Sequence, residues 1–492
     1  MTSTKQAIPQ AAPPADNPPR GERPRSEASP RLAGRARALA LELAAEARAE
    51  WGYASDVIGR AFRTHRELGS SERRRISETV YGLIRHDRRL AAIVDELLVP
   101  ALRAGERPSP VTRDELKLIA LELREGLPVE AARADAKRLV RSDLPLEGVV
   151  DPDAGLGAAA GLEREALRAS MPTWLVEKVT AERGVEAGLG LLGAMNQRAP
   201  LAVRVNTAVV DREGLIRALA EEGITARPGR WSSTAAVLET RVNAFGSSAF
   251  RRGLFEVMDE GSQLVAELVA PPPGGRILDA CAGAGGKTLA LASALGGKGR
   301  VLALDVDGKK LEELRRRARR AGLNNVAARA IERSEAQLPS EARPGAWDRV
   351  LVDAPCSGLG VLRRNPEARW RLSSAEVRAF PPRQVALLVT YAPLVAVGGR
   401  LIYATCSILG DENERVIERF LDERDDFVRV PVKEIWGRAR AEALGQEVRQ
   451  GAEGAPTQSQ GQPSAAADGA LRLDPLRHDT DGFYAAVLRR VR

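Results

Sequence analysis

Only three cysteines, Cys281, Cys356 and Cys406, occur in 492 residues, widely separated and with no CxxC pair. Neither a disulfide framework nor a cysteine-rich zinc ribbon can be built from them, and a reducing, cytoplasmic setting is expected. Histidine is as scarce: His65, His86 and His478 lie in distant segments, so a three-histidine metal site would have to gather all of them. No metal and no catalytic histidine are expected. Long apolar runs are missing too. The longest uncharged stretch, Gln384 to Gly399, carries Pro393, Gly398 and Gly399 and falls short of the roughly 20 residues of a spanning helix, so no membrane segment is expected. The first residues have no apolar core of the secretory kind, and residues 1–30, rich in Pro, Ala, Arg and Ser, read as a disordered tail.

What is present is ordinary in amount and basic in balance. Lys and Arg number 74 against 66 Asp and Glu, a net charge of +8 that favours a polyanionic partner. The length corresponds to about three domains. From 31 to 145 the apolar residues Val80, Leu83, Ile84, Leu90, Ile93, Val94, Leu97 and Leu98 repeat at helical spacing, which predicts an all-α domain. Its polar faces carry Arg60, Arg63, Arg66, Arg73, Arg74, Arg75, Arg85, Arg88 and Arg89. These suit phosphate, yet Glu67, Glu72 and Glu78 among them equally suit a plain solvated face. Residues 146–170, poor in large apolar side chains, read as a linker. Residues 171–250 mix helical stretches (Trp174 to Arg183, Arg212 to Glu222) with β-rich runs (Leu201 to Val205, Ala235 to Leu238), a small α+β module.

From 251 to 492 the rhythm changes. Short strands at Arg276–Leu278, Arg300–Leu304, Val326–Ala330, Arg349–Val352 and Arg400–Tyr403 alternate with helices, which predicts a doubly wound, mostly parallel α/β sheet. Residues 437–470 collapse into Gly, Gln, Ala, Ser and Pro and read as a disordered insertion before an ordered ending. After the first of these strands comes Asp279-Ala280-Cys281-Ala282-Gly283-Ala284-Gly285-Gly286-Lys287-Thr288. A phosphate-binding P-loop would need glycine where Cys281 stands. Asp305, ending the next strand, suits the hydroxyls of a ribose, so a nucleoside-bearing cofactor fits better than a triphosphate. Asp353-Ala354-Pro355-Cys356 and Ala404-Thr405-Cys406 follow two later strands, so both thiols should reach one sheet edge. Either thiol alone would pass for a small buried hydrophobe. Two thiols and a carboxylate without histidine suit attack on an electron-poor ring such as a pyrimidine.

With these motifs, Asp259-Glu260-Gly261-Ser262-Gln263, Arg363-Arg364-Asn365-Pro366-Glu367, Glu412-Asn413-Glu414 and His478-Asp479-Thr480-Asp481-Gly482-Phe483 make the chain resemble the RsmB-type RNA cytosine-5 methyltransferases of the Nop/Sun group. Val80-Tyr81-Gly82-Leu83-Ile84-Arg85 is similar to the NusB-like RNA-binding domain at the front of that branch, and Asn196 to Thr207 resembles its RRM-like module. The resemblance implies a Rossmann-like catalytic domain, S-adenosyl-L-methionine as methyl donor and ribosomal RNA, of the small subunit, as substrate. Transfer RNA or a catalytically silent scaffold are the alternatives. A monomer is the expected unit. It implies Cys406 as nucleophile, Cys356 in release of the adduct, and Asp353 in cytosine recognition and charge stabilisation. Pro355-Cys356 is the competing nucleophile, because DNA cytosine methyltransferases use a Pro-Cys pair. The cofactor would lie on Cys281, Ala282, Gly283, Ala284, Gly285, Gly286 and Lys287, with Asp305 on the ribose, Glu332 near the adenosine and Asp353 facing the methyl-transfer site. The family's loop usually reads Ala-Pro where this chain has Gly283-Ala284, and Glu332 stands slightly off pattern. Arg363 and Arg364 are read either as phosphate ligands or as surface residues.

Overall fold

The computed structural model describes residues 31–239, 243–332, 338–446 and 469–492; the tail expected over 1–30 lies outside them. Helices Gly34–Glu50, Ser70–Arg85, Asp87–Leu97 and Pro110–Arg124 pack around a single apolar core at the front of the chain. Every residue of the apolar stripe from Val80 to Leu98 is at least 97% buried there. Its arginines divide into two groups. Arg63, Arg66 and Arg74 are exposed, whereas Arg85, Arg88 and Arg89 turn inward and donate to the carbonyls of Arg363, Met171 and Pro152.

The segment read as a linker is ordered. Gly155 and Gly157 donate backbone N–H groups to Glu96. At Gly155, with φ +70°, a Cβ would stand 2.7 Å from the backbone nitrogen of Ile93, so only glycine lets the chain lie this close. Gly161–Ala169 is a helix. It continues into helices Thr173–Arg183 and Val185–Ala194, whose Leu175, Val176, Val179, Leu191 and Leu192 share one core with Leu359, Leu362, Ile408 and Leu409. These helices, expected within the small α+β module, therefore brace the edge of the large sheet where the thiols lie.

The small module is a four-stranded antiparallel sheet, β1 (Leu201–Val205), β2 (Ala226–Pro228), β3 (Ala235–Leu238) and β4 (Phe255–Val257), in the order β2-β3-β1-β4. Helix Arg212–Glu221 joins β1 to β2 and the short helix Ser248–Arg251 leads into β4, which gives a ferredoxin-like βαββαβ arrangement. The boundary expected at 250 falls inside this sheet, because β4 is too short to stand out by hydrophobic pattern alone.

The large sheet comprises β5 (Arg276–Asp279), β6 (Arg300–Asp305), β7 (Val326–Ala330), β8 (Trp347–Asp353), β9 (Val395–Thr405), β10 (Phe427–Arg429), β11 (Leu471–Leu473) and β12 (Phe483–Arg490). Its order is β10-β12-β9-β8-β5-β6-β7, with β11 beside β12. β5 to β9 run parallel, with the expected Rossmann-like crossovers, while β12 enters antiparallel to β9 and closes a mixed sheet. Of the insertion expected over 437–470, residues 438–443 form a helix with Ala441 and Leu444 buried in the sheet's core. Two apolar residues three apart in an otherwise polar stretch account for that departure. Residues 447–468 lie outside the described ones. Among the described residues no helix is long and apolar enough to cross a membrane.

The two sheets are tied by Asn206, which is fully buried. Its amide donates to the carbonyls of Gly253 (2.9 Å) and Ala321 (2.8 Å), and its oxygen accepts from the Ser293 hydroxyl (3.1 Å). Asn206→Ala strands those partners and is expected to lower unfolding stability by about 2–3 kcal/mol in urea titrations. A loss below about 0.5 kcal/mol would refute the tie.

Candidate active site

Five parallel strands deliver their carboxyl ends to one edge. After β5 the loop is pinned on both sides, since Ala280 N–H donates to Leu351 (2.8 Å) and Ala282 N–H to Leu304 (2.9 Å). Gly285 starts helix Gly286–Ala294 at φ +86°, and a Cβ there would come within 2.5 Å of Leu314. Gly285 therefore shapes the turn and faces the neighbouring helix rather than the cleft. At Gly283 and Gly286 an added Cβ would meet nothing within 4 Å, so the backbone there fronts open space. Cys281, Ala282, Gly283 and Ala284 are all half-exposed on that side, and Arg317 holds the Ala284 carbonyl from behind (2.7 Å).

Asp305, at the end of β6, faces this loop. Its two oxygens accept from the N–H groups of Gly283 (2.7 Å) and Asp307 (2.8 Å), which leaves each with a further lone pair. Glu332 is exposed just past β7, where Ile331 N–H donates to the Asp305 carbonyl (3.0 Å). Beneath the loop Asp279 is buried, with one oxygen taken by Thr288 (2.7 Å) and the other without a hydrogen-bond partner. Burial, opposed by the Thr288 hydrogen bond, pushes its pKa up to about 7. An open glycine turn at a helix N-terminus, an acid at ribose distance along the sheet and an unsatisfied buried carboxyl oxygen together suit a nucleoside carrying a cationic amino acid.

β8 and β9 bring the thiols together. Parallel pairing sets Asp353 opposite Ala404, and Ala354 N–H donates to Ala404 (2.8 Å). Two residues beyond that last rung, the Cys356 and Cys406 sulfurs lie 3.4 Å apart, each half-exposed. Lys287, nearly buried, reaches across from the glycine loop to donate to Asp353 (2.7 Å). Burial works against its charge, but Asp353, Cys406 and Asp279 outweigh that and raise its pKa. The same ammonium stands 5.4 Å from the centre of the Phe483 ring. Cys356 is pushed well up by its hydrogen bond with Cys406, by burial and by the Glu412 carboxylate. Cys281 is also raised, by burial and then by Asp279, Asp353 and Asp305, which holds it as a thiol and unsuits it for attack.

A closing strap completes the site. Cys406 C=O accepts from Gly360 N–H (2.8 Å), whose carbonyl accepts from Gly482 N–H (2.8 Å), and a Cβ on Gly360 would come within 2.2 Å of the Gly482 oxygen. Arg364 donates to Asp481 (2.5 Å), Asp259 (2.8 Å) and the Pro200 carbonyl (3.1 Å). Arg363, 3% exposed, donates to Asp479 (2.9 Å) and the Arg198 carbonyl (2.8 Å). The surface reading is thereby corrected for Arg363, and both guanidiniums act as clasps between the strap and the small module, bonded to carboxylates and carbonyls, with Arg364 keeping 30% of its side chain exposed. His478 is structural. Its Nδ1 accepts from Asp474 N–H (3.1 Å) and its Nε2 bonds the Leu444 carbonyl (3.1 Å).

Residues without an assigned role in the sequence also converge here. Glu412, fully buried, accepts from the Ser357 N–H (2.8 Å) and hydroxyl (2.6 Å), from the Ser407 hydroxyl and from the Gln384 amide (3.2 Å). Asn413 beside it accepts from Thr405 (2.6 Å) and donates to the Ser407 carbonyl (3.1 Å). The Glu412-Asn413-Glu414 run was a visible motif, but nothing in its spacing told which strands it would grip.

A parallel Rossmann-like sheet with a glycine turn after β5 and paired strand-end thiols defines a methyltransferase-type domain. Comparison with known proteins gives the particular family. Residues 266–489 match the model described as 16S rRNA methyltransferase RsmB/F, and residues 171–244 match the ferredoxin-like domain described as RsmF/B-like. A probable ribosomal RNA small subunit methyltransferase B of Synechocystis sp. is 30% identical over 471 residues, covering 92% of this chain and 99% of that one. The probable enzyme of the same name from Bacillus subtilis is 28% identical, covering 92% and 98%. The crystal structure of a methyltransferase homolog protein from Pyrococcus horikoshii superposes with a TM-score of 0.55 at 26% identity, covering 68% of this chain and 99% of that one. The chain belongs to the RsmB/F family of ribosomal RNA methyltransferases.

The buried Asp279 carboxyl generates a pH prediction. An acid whose pKa is higher in the fold than in the unfolded chain holds extra protons when folded, so stability falls as pH rises from 3.8 to about 7. Asp279→Asn keeps an oxygen for Thr288 and removes that penalty. It is expected to melt higher than the parent at pH 8, with the gap closing towards pH 4. Equal melting temperatures at pH 8 would contradict the assignment.

Proposed function

We propose that this chain transfers a methyl group from S-adenosyl-L-methionine to carbon 5 of a cytosine in small-subunit ribosomal RNA, through a covalent adduct on Cys406. The single observation carrying this reading is the pair of sulfurs 3.4 Å apart beside the Lys287–Asp353 ion pair, at the edge that also bears the glycine turn. When bound, S-adenosyl-L-methionine supplies an electrophilic methyl on a sulfonium. Cys281, Ala282, Gly283, Ala284 and Gly286 would line its methionine end, Asp305 its ribose and Glu332 its adenosine, with Gly285 setting the turn. Carbon 5 of cytosine is too electron-poor to take that methyl unaided. Addition of the Cys406 thiolate to carbon 6 turns the ring into an enamine, and carbon 5 becomes nucleophilic.

The charges at the edge favour this division of labour. Cys356 is held as a thiol by its hydrogen bond with Cys406, by burial and by Glu412, and Lys287 is the cation that faces Cys406, so this reading gives the attack to Cys406. Asp353, steadied by Lys287, would accept from the exocyclic amine of cytosine, and the Lys287 ammonium beside it would offset the negative charge that thiolate addition spreads over the ring. Cys356 then serves release, as carbon 5 loses its proton and the Cys406–carbon 6 bond breaks. The helical domain over 31–145, read as NusB-like, would contribute RNA contacts through its exposed Arg63, Arg66 and Arg74.

Cys406→Ser is expected to abolish turnover without any protein–RNA cross-link, and Cys356→Ala to leave a stable cross-link on denaturing gels with undermethylated ribosomal RNA. Base-resolution mapping of the labelled product should place the methyl on carbon 5 of cytosine. The opposite gel pattern would move the nucleophile to Cys356, and label on another base would end the cytosine reading.

A further inference from the structure

The two thiols sit on loops fifty residues apart in sequence, and the cross-strand ladder stops at the Ala354–Ala404 hydrogen bond, before either is reached. Beyond that rung, the Ser357 and Ser407 hydroxyls, each next to a reactive cysteine, meet at 3.2 Å and share one acceptor, the Glu412 carboxylate. Gln384 ties a third segment into the cluster by donating to both Glu412 (3.2 Å) and the Pro355 carbonyl (3.0 Å). Glu412 is fully buried, and among the described residues no Lys, Arg or His lies within ion-pair distance of it. Every group facing it is a donor, the complement of an acceptor-only carboxylate.

A buried carboxylate without a counter-ion is costly, and for fold stability alone an apolar residue of like volume would serve as well. What an apolar residue could not do is hold Ser357 and Ser407 on one point. Tyr403 and Asn413 fix the carboxylate's own position, the first by donating to the Glu412 carbonyl and the second by gripping Thr405 and the Ser407 carbonyl. The carboxylate hydrogen-bonds neither sulfur; apart from its charge, which raises the Cys356 thiol, its hold on their positions runs through the serines.

We propose that Glu412 is a positioning residue for the release half of the reaction: by holding Ser357 and Ser407 on a single carboxylate it keeps the Cys356 sulfur at hydrogen-bonding distance from Cys406 after the adduct has formed. This rests on the covalent reading given above. Forming the Cys406–carbon 6 bond needs one loop only. Breaking it needs both loops in register: Cys356, having lost its own proton to solvent, takes the carbon 5 proton, the carbon 5–hydrogen pair restores the ring double bond, and the carbon 6–sulfur pair returns to Cys406 as a thiolate. Misplacement by about 1 Å is enough to cost about a hundredfold in such a step.

The test uses the full chain with undermethylated small-subunit ribosomal RNA and methyl-labelled S-adenosyl-L-methionine. Glu412→Gln is the near-isosteric variant. The double variant Ser357→Ala/Ser407→Ala removes the same tether while leaving the carboxylate in place. For both, the first-turnover burst of methyl transfer is expected to stay within about threefold of the parent. Steady-state kcat should fall about a hundredfold with little change in KM, and cross-linked protein should accumulate on denaturing gels as for Cys356→Ala. Binding of S-adenosyl-L-homocysteine should remain at the parent level in both variants, as should the melting temperature of Glu412→Gln, while the double variant, which strands a buried carboxylate, melts lower. Unchanged steady-state turnover in both variants would overturn the proposal. So would a parallel loss of burst, homocysteine-product binding and melting temperature, the signature of a merely structural residue. If the parent methylates RNA but Cys356→Ala yields no cross-link, the covalent reading itself fails and takes this proposal with it.

Discussion

Everything at the catalytic edge depends on the parallel pairing of β8 with β9. Their register, Asp353 opposite Ala404, places two cysteines fifty residues apart in sequence at sulfur-to-sulfur contact. A one-residue slip would turn each strand's side chains to the opposite face of the sheet and separate the pair. The pairing is protected accordingly. β8 and β9 are central strands, flanked by β5 on one side and by antiparallel β12 on the other, and Leu351, Ile402, Tyr403 and Ala404 are fully buried. A functional pair of loops rides on the most enclosed part of the sheet.

Much of this was legible in the sequence because short apolar runs ending in Asp or Thr mark strands of a doubly wound sheet, and ligands gather at their carboxyl ends. The strands from Arg276 to Thr405, the glycine turn, and the convergence of Cys356 with Cys406 all follow from that pattern. What pattern reading could not supply lay in long-range polar contacts. No periodicity says that Glu412 would reach both Ser357 and Ser407, or that Arg363 and Arg364 would be consumed by Asp479, Asp481 and Asp259 rather than offered to solvent. Composition misled in two places for the same reason. Gly155 in the segment read as a linker and Ala441 in the segment read as an insertion are small residues in polar neighbourhoods, yet Gly155 lies where a Cβ would strike Ile93 and Ala441 is buried in the sheet's core.

The same physics explains how the front of the chain is attached. Arg369, fully buried, donates to the carbonyls of Arg85 and Ser170 and to Asn196, and burial, reinforced by Arg85, lowers its pKa to about 9. Arg85 in turn donates to Arg363. Arginine suits these junctions because one planar group can satisfy several carbonyls left open where helices end. The helical domain is thus joined to the loop that follows Cys356 by hydrogen bonds to backbone, which fix direction more strictly than apolar contact alone. A basic composition that reads either as a phosphate-binding or as a plain solvated face is in part a set of internal fasteners.

A charge gradient across the thiol pair then follows from where the sheet puts its few ionisable groups. Lys287 reaches from the glycine loop towards Asp353 and Cys406, while Glu412 takes the Ser357 and Ser407 hydroxyls and its charge raises Cys356, so two identical side chains in contact have different charged neighbours. Cys281, the remaining thiol, faces three carboxylates and is held protonated. Two adjacent thiolates would repel at 3.4 Å in a partly dry site, so only one can be ionised at a time. Two identical side chains in contact can in this way differ in reactivity by placement alone, since the difference between the sulfurs lies in their neighbours and not in their chemistry.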